Sequence, residues 1–553
     1  MKHLIDKIRN INYVNANSII KQISGIMNYF SSDDEKTEFI AVNSVEGSVV
    51  CEDRASYGDW QTPKPLADKV CEKHLYKYGN PDIVIEPTCG RGAFVFSALE
   101  KFTNLSEIHA LDINRQYTDE LKLKLLIDAL HNSPQRHPDI YIYNANFFEF
   151  DFLAVTNNAK RNDWNLAVIG NPPWVTNSRQ GRGNSHNVPL KKNIYGLKGI
   201  DAIMGKSNFD ISESITLNLL KLSQFNKGGI SILLKNSVIR NIISKQKLDP
   251  IQIGNIEQET IDASSEFNVS VDASCFSARF GCNPSLRCNI KNLYDDSFIN
   301  EYGWINDSFV ANTSLYLPFS KYDNKSTYTW RSGIKHDCAS VLELTFSNGI
   351  YINGYGEVVH IEEDLIYPLL KSSDISNYKM NSFRKFVIVP QRKVGEDTSF
   401  LKYTHPLTYA YLSKYETDFS KRKSVIYKGK DKFSIFGIGD YSFNPYKIIV
   451  SSLYKDINFI LVSTFEGKPI IVDDTCYQLD FTNKDEAQCI YNALHSNEIQ
   501  SLLKSLMFFD AKRVITKSLL MRINLAQFCI EKNAKSNAQL YRNGTSQQLT
   551  LFD

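Results

Sequence analysis

Two turns in this chain carry residue types that could do chemistry together. One is Glu86-Pro-Thr-Cys-Gly-Arg-Gly92, which follows the apolar run Ile83–Ile85. Gly90 and Gly92, at a strand-to-helix turn, let a ligand approach the main chain and leave helix N-terminal amides available. The loop lacks the spacing of a dinucleotide fingerprint and has no Walker lysine, which argues against a phosphate cradle. Glu86 instead suits a cationic group such as an amino-acid ammonium. Asp112 ends the next apolar run, about twenty residues on, where a carboxylate accepts bonds from both ribose hydroxyls. A nucleoside carrying an amino acid satisfies both, and S-adenosylmethionine is such a molecule.

The other turn is Asn171-Pro172-Pro173-Trp174, directly after the apolar run Leu166–Gly170. The prolines make it rigid and rich in acceptors. The Asn171 side-chain oxygen and the Pro172 carbonyl can take both hydrogens of an exocyclic amino group. Such a nitrogen is a poor nucleophile while its lone pair is delocalised into a ring. Accepting its hydrogens favours a pyramidal nitrogen that attacks a sulfonium methyl in line, so positioning and electrostatics carry most of the effect. Trp174 would stack on the base, and reaching a base inside a duplex requires flipping it out.

These turns need a scaffold. Between about 55 and 290 short apolar runs alternate with helical stretches. Strands are expected at Ile83–Ile85, Ile108–Leu111, Ile140–Tyr143, Leu166–Ile169 and Ile230–Leu234. Helices are expected at Pro65–Tyr76, Ala93–Phe102, Tyr117–Leu130 and Ser212–Phe225. The alternation predicts an α/β fold, a Rossmann-like parallel sheet with helices on both faces and ligands at the carboxyl ends of its strands. Four segments are expected: an N-terminal helical accessory segment, 1–54; a catalytic domain, 55–295; a mixed α+β domain, 296–530; and a polar tail, 531–553. In the mixed domain β-like runs occur at Phe386–Val389, Ser424–Tyr427, Lys447–Val450 and Phe459–Val462, with helical stretches at Asn483–Ser505 and Asp510–Leu520.

Composition narrows the classes. The chain has 553 residues, 42% hydrophobic and 22% charged, ordinary for a folded protein of two or three domains. A net charge of +2 gives no global basic excess, so any nucleic-acid surface must be local. Ten scattered cysteines form no C-x-x-C pair; free thiols in a reducing cytosol are the simplest account, with no metal expected. No apolar run approaches the length of a membrane span, and the chain reads as cytoplasmic.

The order of these residues resembles the gamma class of adenine-N6 DNA methyltransferases, the Taq-type enzymes of restriction–modification systems. The likeness is specific over roughly residues 55 to 280 and looser beyond. It implies that Thr62-Pro63 covers the methionine end of the cofactor. Glu86, Pro87, Cys89, Gly90, Gly92 and Phe94 match the family's glycine loop. Asp112 and Ile113 match its ribose-binding acid and adenine-packing apolar residue. Asn146-Phe147 falls where the family has Asp-Phe, so Asn146 would accept the cofactor's adenine amino group through its side-chain oxygen. Trp174 stands where Tyr is commoner. The stretch Val271–Phe280 resembles the later strand that supplies a second aromatic against the flipped base, with Phe280 aligning best and Phe276 as the alternative.

The resemblance implies a C-terminal target-recognition domain, a double-stranded DNA partner and bacterial or archaeal origin. Arg392, Lys393, Lys421, Arg422 and Lys423, with aromatics between the clusters, suit phosphate contacts. Arg179 and Arg182, in a glycine-rich stretch past Trp174, are expected to order on DNA. Gln548–Phe552 resembles the peptide that docks on the bacterial sliding clamp; an ordinary tail is the plainer reading. Other readings stay open: RNA adenine methylation, DNA cytosine-N4 methylation (commonly with Ser in the Asn171 place), and a non-catalytic DNA-binding subunit. Cytosine-C5 chemistry is disfavoured, because no Pro-Cys nucleophile follows a strand suitably. Glutamine-N5 protein methyltransferases share Asn-Pro-Pro-aromatic but are small. Any restriction nuclease is expected on a separate chain.

Overall fold

The β-rich runs upstream of residue 310 assemble into one ten-stranded sheet, ordered β10-β9-β8-β6-β7-β5-β4-β1-β2-β3. The computed structural model describes residues 1–43, 61–132, 137–175, 210–268, 271–376, 378, 382–510 and 513–532. In chain order the strands are β1 (Ile83–Glu86), β2 (Glu107–Asp112), β3 (Asp139–Asn144), β4 (Asn165–Gly170), β5 (Lys227–Lys235), β6 (Ile253–Thr260), β7 (Ala273–Phe280), β8 (Arg287–Asn292), β9 (Phe298–Ile305) and β10 (Ser308–Val310). The first five are mutually parallel, and β7 lies antiparallel between β5 and β6. Every residue of β1 is buried, which is why it reads as an unbroken apolar run and not as an alternation.

Helices α4 (Lys64–Tyr78), α5 (Ala93–Lys101), α6 (Arg115–Asn132) and α7 (Phe152–Arg161) alternate with the first strands, and the helices Ile211–Ser223 and Asn236–Lys245 flank β5. The expected strands and helices of this region are all present, extended by a few residues at most ends. From β1 the chain proceeds to β2 and β3 on one side, then returns to β4 on the other. The crevice outside the carboxyl ends of β1 and β4 is therefore the topological switch point where such sheets hold ligands.

The N-terminal stretch forms α1 (Lys2–Ile8), α2 (Tyr13–Ser24) and α3 (Asp33–Asn43). It shares the core of the sheet domain: Leu4, Ile8, Ile20 and Ile26 are buried with Leu126 and Ile140. Ile26 bridges to Ile140, and the Asn28 side chain donates to the Ile142 carbonyl at 2.9 Å. The segment thus covers the outer edge of β3, which would otherwise present unpaired main-chain groups.

The chain divides into two compact units, Met1–Phe309 and Val310–Asp553. The division falls past the expected 295/296 boundary because β9 and β10 continue the first sheet. The second unit holds a four-stranded sheet, ordered β11 (Arg331–Ser332), β20 (Cys476–Phe481), β17 (Tyr446–Ser451) and β18 (Phe459–Val462). It also holds a six-stranded sheet, ordered β14 (Val358–Val359), β13 (Ile350–Ile352), β12 (Glu343–Ser347), β16 (Lys385–Ile388), β15 (Ile366–Leu370) and β19 (Ile471–Val472).

Three expectations for this unit are corrected. Ser424–Tyr427 is not a strand; Val425–Tyr427 forms a 3-10 turn. The helical stretch Asn483–Ser505 is two helices, Lys484–Leu494 and Asn497–Leu506, because Ser496 caps a second start by accepting from the Ile499 amide. In Asp510–Leu520 the one helix among the described residues is Lys517–Leu520, capped by Thr516. No helix of the described residues is long and apolar enough to cross a membrane.

Candidate active site

The glycine loop begins where β1 ends. Gly90 has φ +49 and Gly92 φ +87, both left-handed, and a Cβ on Gly90 would lie 2.9 Å from the Gln61 amide. Three main-chain donors pin the loop. Cys89 N–H donates to the Leu111 carbonyl at 2.7 Å. Gly90 N–H donates to Asp112 Oδ2 at 2.8 Å. Arg91 N–H donates to Gln61 Oε1 at 3.0 Å. Asp112 therefore shapes the loop first, and its Oδ1 accepts from the Asn114 amide at 2.8 Å.

Glu86 is 2% exposed, and its Oε2 has no hydrogen-bond partner among the described residues. Burial, with the Asp112 carboxylate second, pushes its carboxyl well above the usual range; the Val95 amide opposes them. A buried carboxyl left half-satisfied at a switch point fits a ligand that brings positive charge or donors. Pro87, Cys89 and Phe94 are buried beneath the loop, and burial, with the Glu86 and Asp112 carboxylates, pushes the Cys89 thiol up. Past Asp112, Ile113 is 48% exposed, an apolar seat open to a flat ring. Asn146 makes a local turn, its Oδ1 accepting from the Phe148 amide at 3.1 Å. Phe147 is buried against Phe152, ring centroids 5.2 Å apart.

The acceptor turn begins where β4 ends, beside the glycine loop. Ile85 pairs with Val168 across the two strands. Gly170 has φ +155, and a Cβ there would lie 3.3 Å from Pro87 Cδ and 3.6 Å from Glu86 Cγ. Asn171 Nδ2 donates to Thr62 Oγ1 at 3.3 Å, and Pro63 is the N-cap of α4. Pro172 is buried and Pro173 half-buried. The expected Thr62-Pro63, Glu86 and Asn171 segments are thus brought to one end of the sheet.

Trp174 is 6% exposed; its indole N–H donates to the Leu233 carbonyl at 3.2 Å. Its ring meets Phe267 edge-on, centroids 5.2 Å apart at 73°. Phe280 is not brought to the site. The antiparallel register pairs Lys235 with Ala273 and Gly229 with Arg279, so Phe280 lies at the end of the sheet away from the acceptor turn. Phe276, opposite Ile232, is mid-strand and buried. The aromatic at the site end is Phe267, which sequence reading missed. Its signal was the Asp262 cap of the short helix Ala263–Phe267, just before β7.

Arg179, Arg182 and Gln548–Phe552 lie outside the described residues. In the second unit Arg392, Lys393, Lys421 and Lys423 are exposed. Arg422 departs from the expected phosphate contact. Its guanidinium donates to the carbonyls of Phe419 (3.1 Å), His336 (3.3 Å), Ser434 (2.7 Å) and Lys432 (2.8 Å), and lies 3.8 Å from the Tyr427 ring centroid. It braces its own loop.

A sheet whose strands β1 to β6 run parallel with β7 reversed between β5 and β6, a glycine turn after β1 and an Asn-Pro-Pro-Trp turn after β4 define an S-adenosylmethionine-dependent methyltransferase. No family model matches the chain. It is 38% identical over 474 residues to the type II methyltransferase M.NspV of Nostoc sp. (strain ATCC 29411 / PCC 7524), covering 85% of this chain and 97% of that protein. Among solved structures it is similar to the type IIL restriction-modification enzyme MmeI in complex with DNA, with TM-score 0.53 and 14% identity. That match covers 83% of this chain and spans 64% of MmeI, less than two thirds of its length; it shows the fold alone. The chain belongs to the type II methyltransferase family, and its methyl donor is S-adenosylmethionine.

Proposed function

We propose that this methyltransferase modifies adenine N6 in a specific double-stranded DNA sequence, as the modification partner of a separate restriction nuclease. The observation that carries the reading is the close approach of the two turns, where a Cβ on Gly170 would meet Pro87 and Glu86, with Asn171 bonded to Thr62 just before α4. The bound cofactor supplies an electrophilic sulfonium methyl. Glu86 offers its buried carboxyl to the cofactor's polar end, Asp112 offers acceptors for hydroxyls, and Ile113 offers an apolar surface. The Asn171 side-chain oxygen and the Pro172 carbonyl accept the hydrogens of the target amino group and aim its lone pair. A base reaches them only when flipped from the duplex. Trp174 and Phe267, packed edge to face, form the aromatic wall beside that turn. The unit after residue 310 supplies target recognition, with Arg392, Lys393, Lys421 and Lys423 as its DNA contacts.

The test is sequencing with modified-base detection on DNA from cells expressing the chain, alongside labelled methyl transfer to duplex DNA, RNA and protein. N6-methyladenine at one recurring sequence is the expected result. N4-methylcytosine, label confined to RNA or protein, or no label at all contradicts it.

A further inference from the structure

Arg331 and Arg392 of the second unit are seated on aromatic rings, whereas three other arginines of that unit are held by acceptors. Arg384 pairs with Asp374 at 3.0 Å, Arg522 pairs with Asp323, and Arg422 is taken up by main-chain carbonyls. Arg331 and Arg392 make no ion pair and no side-chain hydrogen bond among the described residues. Each instead lies over an aromatic ring: Arg392 is 4.0 Å from the centroid of Phe443, and Arg331 is 4.4 Å from that of Tyr441. Both rings sit on one 3-10 turn, Asp440–Phe443.

That platform is rigid. Ser442 is buried, and its Oγ accepts from the Gly439 amide at 3.3 Å. Tyr367 meets Phe443 edge-on at 5.6 Å. The main chain under Arg392 is fixed on both sides. The buried Gln391 amide donates to the Lys393 and Ile435 carbonyls and accepts from the Ile435 amide. Glu396 takes the Arg392 and Lys393 amides at 2.7 and 3.2 Å. Arg331 is carried on β11, paired with β20 at Gln478.

A guanidinium over an aromatic ring has a face covered while its rim of N–H donors stays available. Such a rim matches a flat bidentate acceptor. Holding a phosphate needs only a mobile point charge, which the exposed Lys393, Lys421, Lys423, Lys428 and Lys430 already provide. Reading a base edge needs a planar fork on a fixed backbone, and the O6 and N7 of guanine in the major groove are its best-matched acceptors.

We propose that Arg331 and Arg392, seated on Tyr441 and Phe443, are specificity-determining residues that read guanines in the recognition sequence. The proposal deepens the reading of the chain as a DNA methyltransferase and rests on it.

The experiment incubates the full chain with S-adenosylmethionine and a pool of duplexes randomised around the preferred sequence, then sequences the methylated fraction. Arg392→Lys and Arg331→Lys keep the charge and lose the fork. Each is expected to relax discrimination at one G·C pair by on the order of ten- to a hundredfold, leaving the other positions selective. Phe443→Leu keeps Arg392 and removes its platform, and should relax the same position as Arg392→Lys. Thermal melts of each variant separate loss of reading from loss of fold. Unchanged base preference in the folded Lys variants overturns the proposal, whether rates fall evenly across all sequences or stay as they were. A wild-type chain that methylates RNA or protein but no duplex overturns the underlying reading as well, so the two failures are distinguishable.

Discussion

Glu86 is the residue with the most legible energetics. Burial and the neighbouring Asp112 hold its carboxyl above the usual range. The folded value exceeds the unfolded one, so its contribution to stability is present below the unfolded carboxyl range. That contribution is lost as pH rises through the folded value. Glu86→Gln is neutral at every pH. Without cofactor it should melt above the parent at pH 8, with the gap closing towards pH 4. The same variant should bind S-adenosylmethionine roughly ten- to a hundredfold more weakly, the size of a charged hydrogen bond. Melting curves and calorimetry read both. A variant that melts below the parent at pH 8 and binds as tightly would make Glu86 a structural residue. The turn after β1 and the acid at the end of β2 were legible in sequence because a strand end, a glycine pair and spaced acids are all local signals. Arg422 was not: a basic run shows charge but not which side chain folds back onto carbonyls 3 to 86 residues away.

At the scale of elements, the parallel strands were readable because full burial leaves unbroken apolar runs between helices of a different period. Sheet order and strand direction are long-range properties, and there the reading went astray. Nothing in Val271–Phe280 states that β7 runs antiparallel, and the family likeness alone puts Phe280 at the base. The register reverses that. Phe280→Leu, a near volume-conserving change, should cost less than about 1.5 kcal/mol of stability and leave kcat unchanged. Phe267→Leu should lower kcat at least several-fold, since it removes the ring against Trp174. Steady-state methylation of both variants decides the matter; equal effects, or a larger one at Phe280, would return the second aromatic to β7. In the second unit the β-rich texture was visible but its two sheets were not, because β11 pairs with β20 and β15 with β19 across distant stretches.

At the scale of the molecule, sequence order leads to an expected boundary at 295/296, whereas the two compact units divide after Phe309. β9 extends the first sheet by antiparallel pairing with β8, β10 follows at its edge, and partly exposed edge strands leave a faint periodic signal. The N-terminal helices were read as accessory, whereas their apolar faces complete the core beside β3. Function at this scale reduces to one claim: the turns after β1 and β4 form a single site for methyl transfer. The direct test is the rate of methyl transfer to duplex DNA by Asn171→Ala, with cofactor affinity measured in parallel. The claim predicts a fall in kcat of about a hundred- to a thousandfold with S-adenosylmethionine binding retained. Transfer at the parental rate by a folded Asn171→Ala protein would contradict it.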